Sequence, residues 1–213
     1  MLKIGLTGNY YSGQNEVSEI FEKLSVKVFD ADLILKYLIN FSETHVEKIK
    51  DTLGDKVYQM GLLNMNKFRT NESWNDLIDL VEFDVVKSYE RFRLTHKDEF
   101  YTIFKYSFLF ERNLNKSMDK VICCYRPKYQ RRSDLKRLTY LSESQIEYLL
   151  SNEMDELSKN KSSDYLINNY NTSGSAHTLI GLDSRVSDLH NIFSNKKPQE
   201  DYLGYKYSSG FWD

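Results

Sequence analysis

Apolar residues fall in short unbroken runs separated by stretches where they recur every three or four positions, the pattern of buried parallel strands alternating with amphipathic helices. Leu2 to Thr7 reads as a first strand, and Val17, Ile20, Phe21 and Leu24 mark the helix after it. Val26 to Phe29 is a second short strand, so the chain opens as a strand-helix-strand unit. Helical spacing resumes from Leu33 to Asn40 and from Glu43 to Leu53, and Gly54 and Gly61 punctuate a loop. Trp74 to Phe92 predicts one long helix with Leu77, Ile78, Val81, Val85 and Tyr89 on its buried face. Phe100 to Tyr106 and Lys120 to Tyr125 are further strands. Ser142 to Ser158 predicts a single helix opened by a capping box between Ser142 and Gln145, Asp164 to Asn168 a last strand, and Leu179 to Phe193 a weaker helix. Strands alternating with helices make an α/β protein of three layers, with right-handed crossovers.

Composition narrows the class without naming a partner. The 213 residues suit one α/β domain with an appended lid or small subdomain. Lys and Arg number 29 against 31 Asp and Glu, so no excess of one sign points to nucleic acid. No apolar run approaches the roughly 18 residues a membrane helix needs, and Met1 leads straight into a strand; no membrane partner and a cytoplasmic protein are expected. Cys123 and Cys124 are adjacent within an apolar run and read as core thiols on opposite faces of a strand. The four histidines show no metal-ligand spacing. Two prolines against many Asn, Lys, Tyr and Ile fit an AT-rich genome, bacterial or phage.

The candidate chemistry sits between the first strand and helix. Gly8 and Gly13 hold the glycine positions of the phosphate-loop pattern G-x-x-x-x-G-K-[ST], and Ser12 lies inside it. Gln14 stands where the pattern has lysine, and Asn15 where it has Ser or Thr. Backbone amides of such a loop can still face a phosphate, but the ammonium for the β/γ-phosphates and the hydroxyl for Mg²⁺ are missing. Asn15 can offer a metal only its amide oxygen. Tyr10 and Tyr11 either fill the space phosphates would take or face outward, and Lys3 or Lys105 could supply a replacement charge from elsewhere.

Four segments in the same order resemble the dephospho-coenzyme A kinase family. They are Ile4 through Ser18 around the loop, Val28-Phe29-Asp30-Ala31-Asp32 (V-I-D-A-D), Ser107-Phe108-Leu109-Phe110-Glu111 (P-L-L-F-E, with Ser107 for the proline), and Asn152 through Asn168 (Q-M…K…A-D-x-V-I-x-N, with Glu153 for the Gln and Ser163 for the Ala). The resemblance implies a P-loop kinase fold: a mainly parallel five-stranded sheet flanked by helices, with a helical insertion and a lid. It divides the chain into a kinase-like domain over 1–194, with the insertion at 41–98 and the lid-like segment at 127–142, and an aromatic tail over 195–213.

The resemblance also implies site residues. Asp32 matches the carboxylate that orients or deprotonates the acceptor hydroxyl, while capping of the helix near Leu33 is the alternative role for Asp30 or Asp32. Gly8, Ser12, Gly13, Gln14, Asn15, Arg131 and Asn168 form the nucleotide-binding set, with Asn15 the metal ligand. In the basic cluster Arg126, Lys128, Arg131, Arg132, Lys136 and Arg137, a lid arginine assists transfer; Arg137 is one residue from a simple match, and Arg131 or Arg132 could replace it. A solvated charged hairpin is the other reading of that cluster.

Two functions compete. One is a kinase using ATP and Mg²⁺ to phosphorylate the ribose 3′-hydroxyl of a dephospho-coenzyme A-like small molecule. The other is a catalytically silent descendant, without cofactor, that keeps the scaffold to bind a protein partner through the lid or the C-terminal tail.

Overall fold

Strand β1, Leu2–Gly8, runs through the middle of a five-stranded sheet because its run of apolar residues is buried on both faces. The other strands are β2 (Lys27–Asp30), β5 (Tyr101–Lys105), β6 (Lys120–Tyr125) and β7 (Tyr165–Asn168), in the order β2-β5-β1-β6-β7 with every pairing parallel. A separate antiparallel hairpin joins β3 (Tyr58–Gln59) to β4 (Leu62–Leu63) across Met60 and Gly61, both at positive φ. This computed structural model describes residues 1–64, 67, 68, 71–138, 141–151, 153–169 and 177–194; the aromatic tail expected over 195–213 lies outside them.

Alternation along the strands builds two cores. Ile4, Leu6, Tyr101, Ile103, Ile122 and Cys124 face helices α1 (Gln14–Lys23) and α9 (His177–Phe193), meeting Val17, Phe21, Val186 and Phe193. Phe29, Phe104 and Tyr106 face the opposite layer of α2 (Ala31–Phe41), α3 (Glu43–Leu53), α4 (Asn71–Asp79) and α5 (Glu82–Thr95). Cys123 and Cys124 are free and buried, on opposite faces as expected. Among the described residues no helix is long and apolar enough to cross a membrane.

Two helices read as continuous are broken. The stretch from Trp74 to Phe92 stops at Leu80 and restarts at Glu82, because Leu80 and Val81 form tight turns back to Leu77 and Ile78 and Lys48 Nζ takes the Leu80 carbonyl. Arg112 then ties Asp79 on one side of the break to Glu82 on the other. The stretch from Ser142 to Ser158 divides into α7 (Glu143–Ser151) and α8 (Glu156–Lys161), with Asp155 capping the second through the Ser158 amide. The expected capping box is present: Gln145 Oε1 accepts from the Ser142 amide at 2.8 Å, and Ser142 Oγ from the Gln145 amide at 3.3 Å.

The basic segment is a helix, α6 (Lys128–Leu138), rather than a charged hairpin. It packs on α7 through Leu135 against Ile146 and Leu150, a third small core apart from the sheet.

Candidate active site

Parallel strands all end on one side of the sheet, and the loop after β1 lies there with the ends of β2, β5 and β7, where α/β sheets hold ligands. Gly13 caps α1 at φ 100°, and a Cβ on it would fall 1.8 Å from Asn169 Nδ2, so both the turn and the close approach require glycine. A Cβ on Gly8 would meet Ser12 Oγ at 2.2 Å and the Cys124 carbonyl at 2.6 Å. No side chain caps the first turn of α1, and Ser12 Oγ and Asn9 Oδ1 are buried without a hydrogen-bond partner. The helix end is therefore an open set of donors for an anion.

The residues that depart from the loop pattern are held by one another. Gln14 Nε2 donates to the Gly8 carbonyl at 2.5 Å, and its Oε1 lies 3.2 Å from Ser107 Oγ, whose one proton has the Asp32 carboxylate as its nearer acceptor. Asn15 Oδ1 accepts from Lys105 Nζ at 2.7 Å, and that ammonium pairs with Asp30 at 2.6 Å. Lys105 ends β5, paired with Leu6 of β1, and is 6% exposed. Lys3 cannot take this part, since it sits five residues back along β1 from Gly8, about 16 Å at strand rise.

Asp30 and Asp32 divide two roles. Asp30 caps α2 through the Leu33 amide at 3.0 Å. Asp32 caps nothing and turns to Ser107, accepting the backbone N–H at 3.1 Å and the hydroxyl at 2.8 Å. Burial pushes the Asp32 carboxyl up to about 6; the Ser107 hydrogen bonds and Lys105 pull the other way, and the Asp30 charge adds to the rise. Tyr10 and Tyr11 present exposed ring surface, yet the Tyr10 hydroxyl lies toward Asp32, Glu153 and Glu111, and burial with those charges holds it up at about 12.

The arginines of the basic segment are held in ion pairs. Arg131 is wholly buried and fully engaged: it donates to the Tyr10 carbonyl at 3.0 Å, to both Glu153 oxygens at 2.7 and 2.8 Å, to Glu156, and to the Arg126 carbonyl. Glu153 also takes the Tyr10 amide at 2.6 Å, and burial raises its carboxyl despite the arginine. Arg126 pairs with Asp134 at 2.6 Å and Arg132 with Glu143 and Glu147, while Arg137 is 73% exposed and paired at 3.4 Å with Asp134 on its own helix.

Asn168 ends β7 with its carbonyl on Arg185, and the residue that reaches the loop is its neighbour: Asn169 Nδ2 donates to the Ser12 carbonyl at 3.3 Å. In D-x-V-I-x-N counted from Asp164 the terminal asparagine falls on Asn169, so the signal was present and was read one place early.

Three residues at the site were missed. Ser107 fills the proline position of P-L-L-F-E and, unlike proline, brings both an N–H and a hydroxyl to Asp32. Glu153, noted in the sequence only as the replacement for a Gln, takes Arg131 and the Tyr10 amide. Lys159, buried, donates to the Ser107 carbonyl at 3.1 Å and pairs with Glu111 at 2.8 Å, so it fixes the segment that carries Ser107. Among the described residues no group of three or more His, Cys, Asp or Glu could hold a metal ion.

Comparison with known proteins agrees with this architecture. The dephospho-CoA kinase family model matches residues 2–174. A dephospho-CoA kinase of Bacillus thuringiensis subsp. konkukian is 29% identical over 178 residues, covering 79% of this chain and 88% of its own. One from Aquifex aeolicus is 26% identical over 175 residues, with 79% and 89% covered. Among solved structures, a Thermus thermophilus protein superposes with a TM-score of 0.71 at 21% identity, covering 88% of this chain and 97% of its own, and a dephospho-CoA kinase from Campylobacter jejuni with 0.62 at 20%, covering 92% and 98%. At these identities the two structures establish the shared fold.

Proposed function

The chain belongs to the dephospho-CoA kinase family, and from that premise we propose that its site takes ATP at the loop between β1 and α1 and phosphorylates the ribose 3′-hydroxyl of a dephospho-CoA-like nucleotide. The observation that supports this is Asp32, a carboxylate beside the loop whose value of about 6 suits it to accept a proton near neutrality. In the transfer the hydroxyl oxygen bonds to the γ-phosphorus, the bond from that phosphorus to the β-bridging oxygen breaks, ADP leaves with the electron pair, and the proton passes to Asp32. The uncapped amides of α1 and the unpartnered Ser12 hydroxyl fit phosphate oxygens.

The Mg²⁺ that the family implies fits less well. The Asn15 oxygen is engaged by the Lys105 ammonium, which also occupies Asp30, and Asp32 is held by Ser107. A cytoplasmic setting accords with the reading.

A coupled assay for ADP formation that depends on dephospho-CoA, run beside calorimetric titration of ATP, tests the reading. Turnover is expected to be slow, about a hundredfold or more below that of a loop bearing the lysine, because one charged donor at the transferring phosphoryl group is absent. Absence of both ATP binding and ADP release would favour the second reading, a silent descendant that keeps the scaffold to bind a partner. The observation on its side is that Gln14, a neutral side chain donating to the Gly8 carbonyl with its oxygen beside Ser107, fastens the loop where a cation would act.

A further inference from the structure

The cation absent from position 14 reappears at position 105. In the phosphate-loop pattern the residue after the lysine gives its hydroxyl to the metal that bridges the β- and γ-phosphates. Here that residue is Asn15, and the group on its side-chain oxygen is the Lys105 ammonium at 2.7 Å. Lys105 is fixed at the end of a central strand, 6% exposed, with Asp30 at 2.6 Å as its counter-ion. Of its three N–H donors, two are accounted for by those partners, and the ammonium borders a cleft of about 250 Å³ lined by Asn15, Ser18, Glu19, Glu22, Val28 and Asp30. A divalent ion brought to Asn15 would meet a fixed positive charge within hydrogen-bond range of the Asn15 oxygen, with Asp30 already neutralised. A phosphate at the same place would meet a charge-assisted donor.

The geometry points to a nucleotide-phosphate site that works without a divalent metal, the Lys105 ammonium standing where the family implies Mg²⁺. This rests on the nucleotide-binding half of the reading above, and adds that the charge comes from β5 and that Gln14 and Asn15 belong to a rearranged site. Lys105→Arg keeps the charge with altered reach, and Lys105→Gln removes it.

The test is calorimetric titration of ATP into the full chain, once with excess EDTA and once with excess MgCl₂, and then into Lys105→Gln and Lys105→Arg shown to be folded by circular dichroism. The expected affinity is equal in the two conditions within about threefold, weakened about tenfold or more by Lys105→Gln and less by Lys105→Arg, as loss of one charge-assisted hydrogen bond requires. Binding seen only with MgCl₂ would overturn the inference and leave the kinase reading standing. Metal-independent binding that survives Lys105→Gln unchanged would overturn the part given to Lys105. No binding in either condition would overturn both. The comparison of EDTA with MgCl₂ needs no variant, so a misfolded Lys105→Gln does not protect the inference.

Discussion

Ser107 gives Asp32 both its backbone N–H, at 3.1 Å, and its hydroxyl, at 2.8 Å. Each of these bonds favours the charged carboxylate and opposes the effect of burial. Ser107→Ala removes the hydroxyl and is expected to move the Asp32 carboxyl further above about 6. Carboxyl titration by NMR reads this directly; an unchanged or lowered value would show that the hydroxyl donates to Gln14 instead.

Asp32 also makes stability depend on pH in a stated direction. Its folded value, about 6, lies above the ordinary 3.8, so the fold binds the proton more tightly than the unfolded chain does. The stabilisation is fully present below the ordinary value and lost as pH rises through about 6. Asp32→Asn should therefore be more stable than the parent by about 3 kcal/mol at most near neutral pH and above, with the difference closing towards acid. Urea denaturation across that window checks it, and a gap that widened on acidification would refute the assignment.

Arg131 and Glu153 form an ion pair with 0% and 6% of the side chains exposed. Breaking a buried pair from one side leaves a charge without its partner, so Arg131→Ala is expected to cost about 3–5 kcal/mol. Glu153→Gln leaves Glu156 on the arginine and should cost about 1–2 kcal/mol. No cost for Glu153→Gln beside a large cost for Arg131→Ala in urea denaturation would mean that the arginine acts through packing rather than through this ion pair.

Gly13 combines φ 100° with the contact at Asn169. Gly13→Ala should lose about 1–3 kcal/mol from backbone strain, and more from the clash. Adding Asn169→Ala removes the clash and leaves the strain, so the two changes should couple by about 1 kcal/mol or more in a double-mutant cycle. Strict additivity would place Asn169 away from the loop.

Restoring the loop pattern by Gln14→Lys with Asn15→Ser should not by itself create a metal-dependent site, because the Lys105 ammonium remains at residue 15. Adding Lys105→Gln is expected to make ATP affinity rise on adding MgCl₂ by about tenfold or more, the return of one charge-assisted contact. Calorimetry on the double and triple variants distinguishes the cases.

What could be known from the sequence was local. The run of apolar residues in β1, the glycines at positions 8 and 13, and Ser142 with Gln145 each state a rule that neighbouring residues enforce: burial on both faces, a positive φ, a reciprocal cap. Hydrophobic period also carried through Leu80 and Val81 and through the stretch from Ser151 to Asp155, where both helices in fact end, because breaks made by tight turns and by polar pairs such as Arg112 with Asp79 and Glu82 leave the period intact. The second break is what brings Glu153 to Arg131. The site itself depended on distant partners: Gln14 meets Ser107 across 93 residues and Asn15 meets Lys105 across 90. Read in the sequence, Gln14 and Asn15 are losses from a phosphate clamp. The parallel sheet, by ending β1, β2 and β5 on one side, places the Lys105 ammonium of another strand against Asn15.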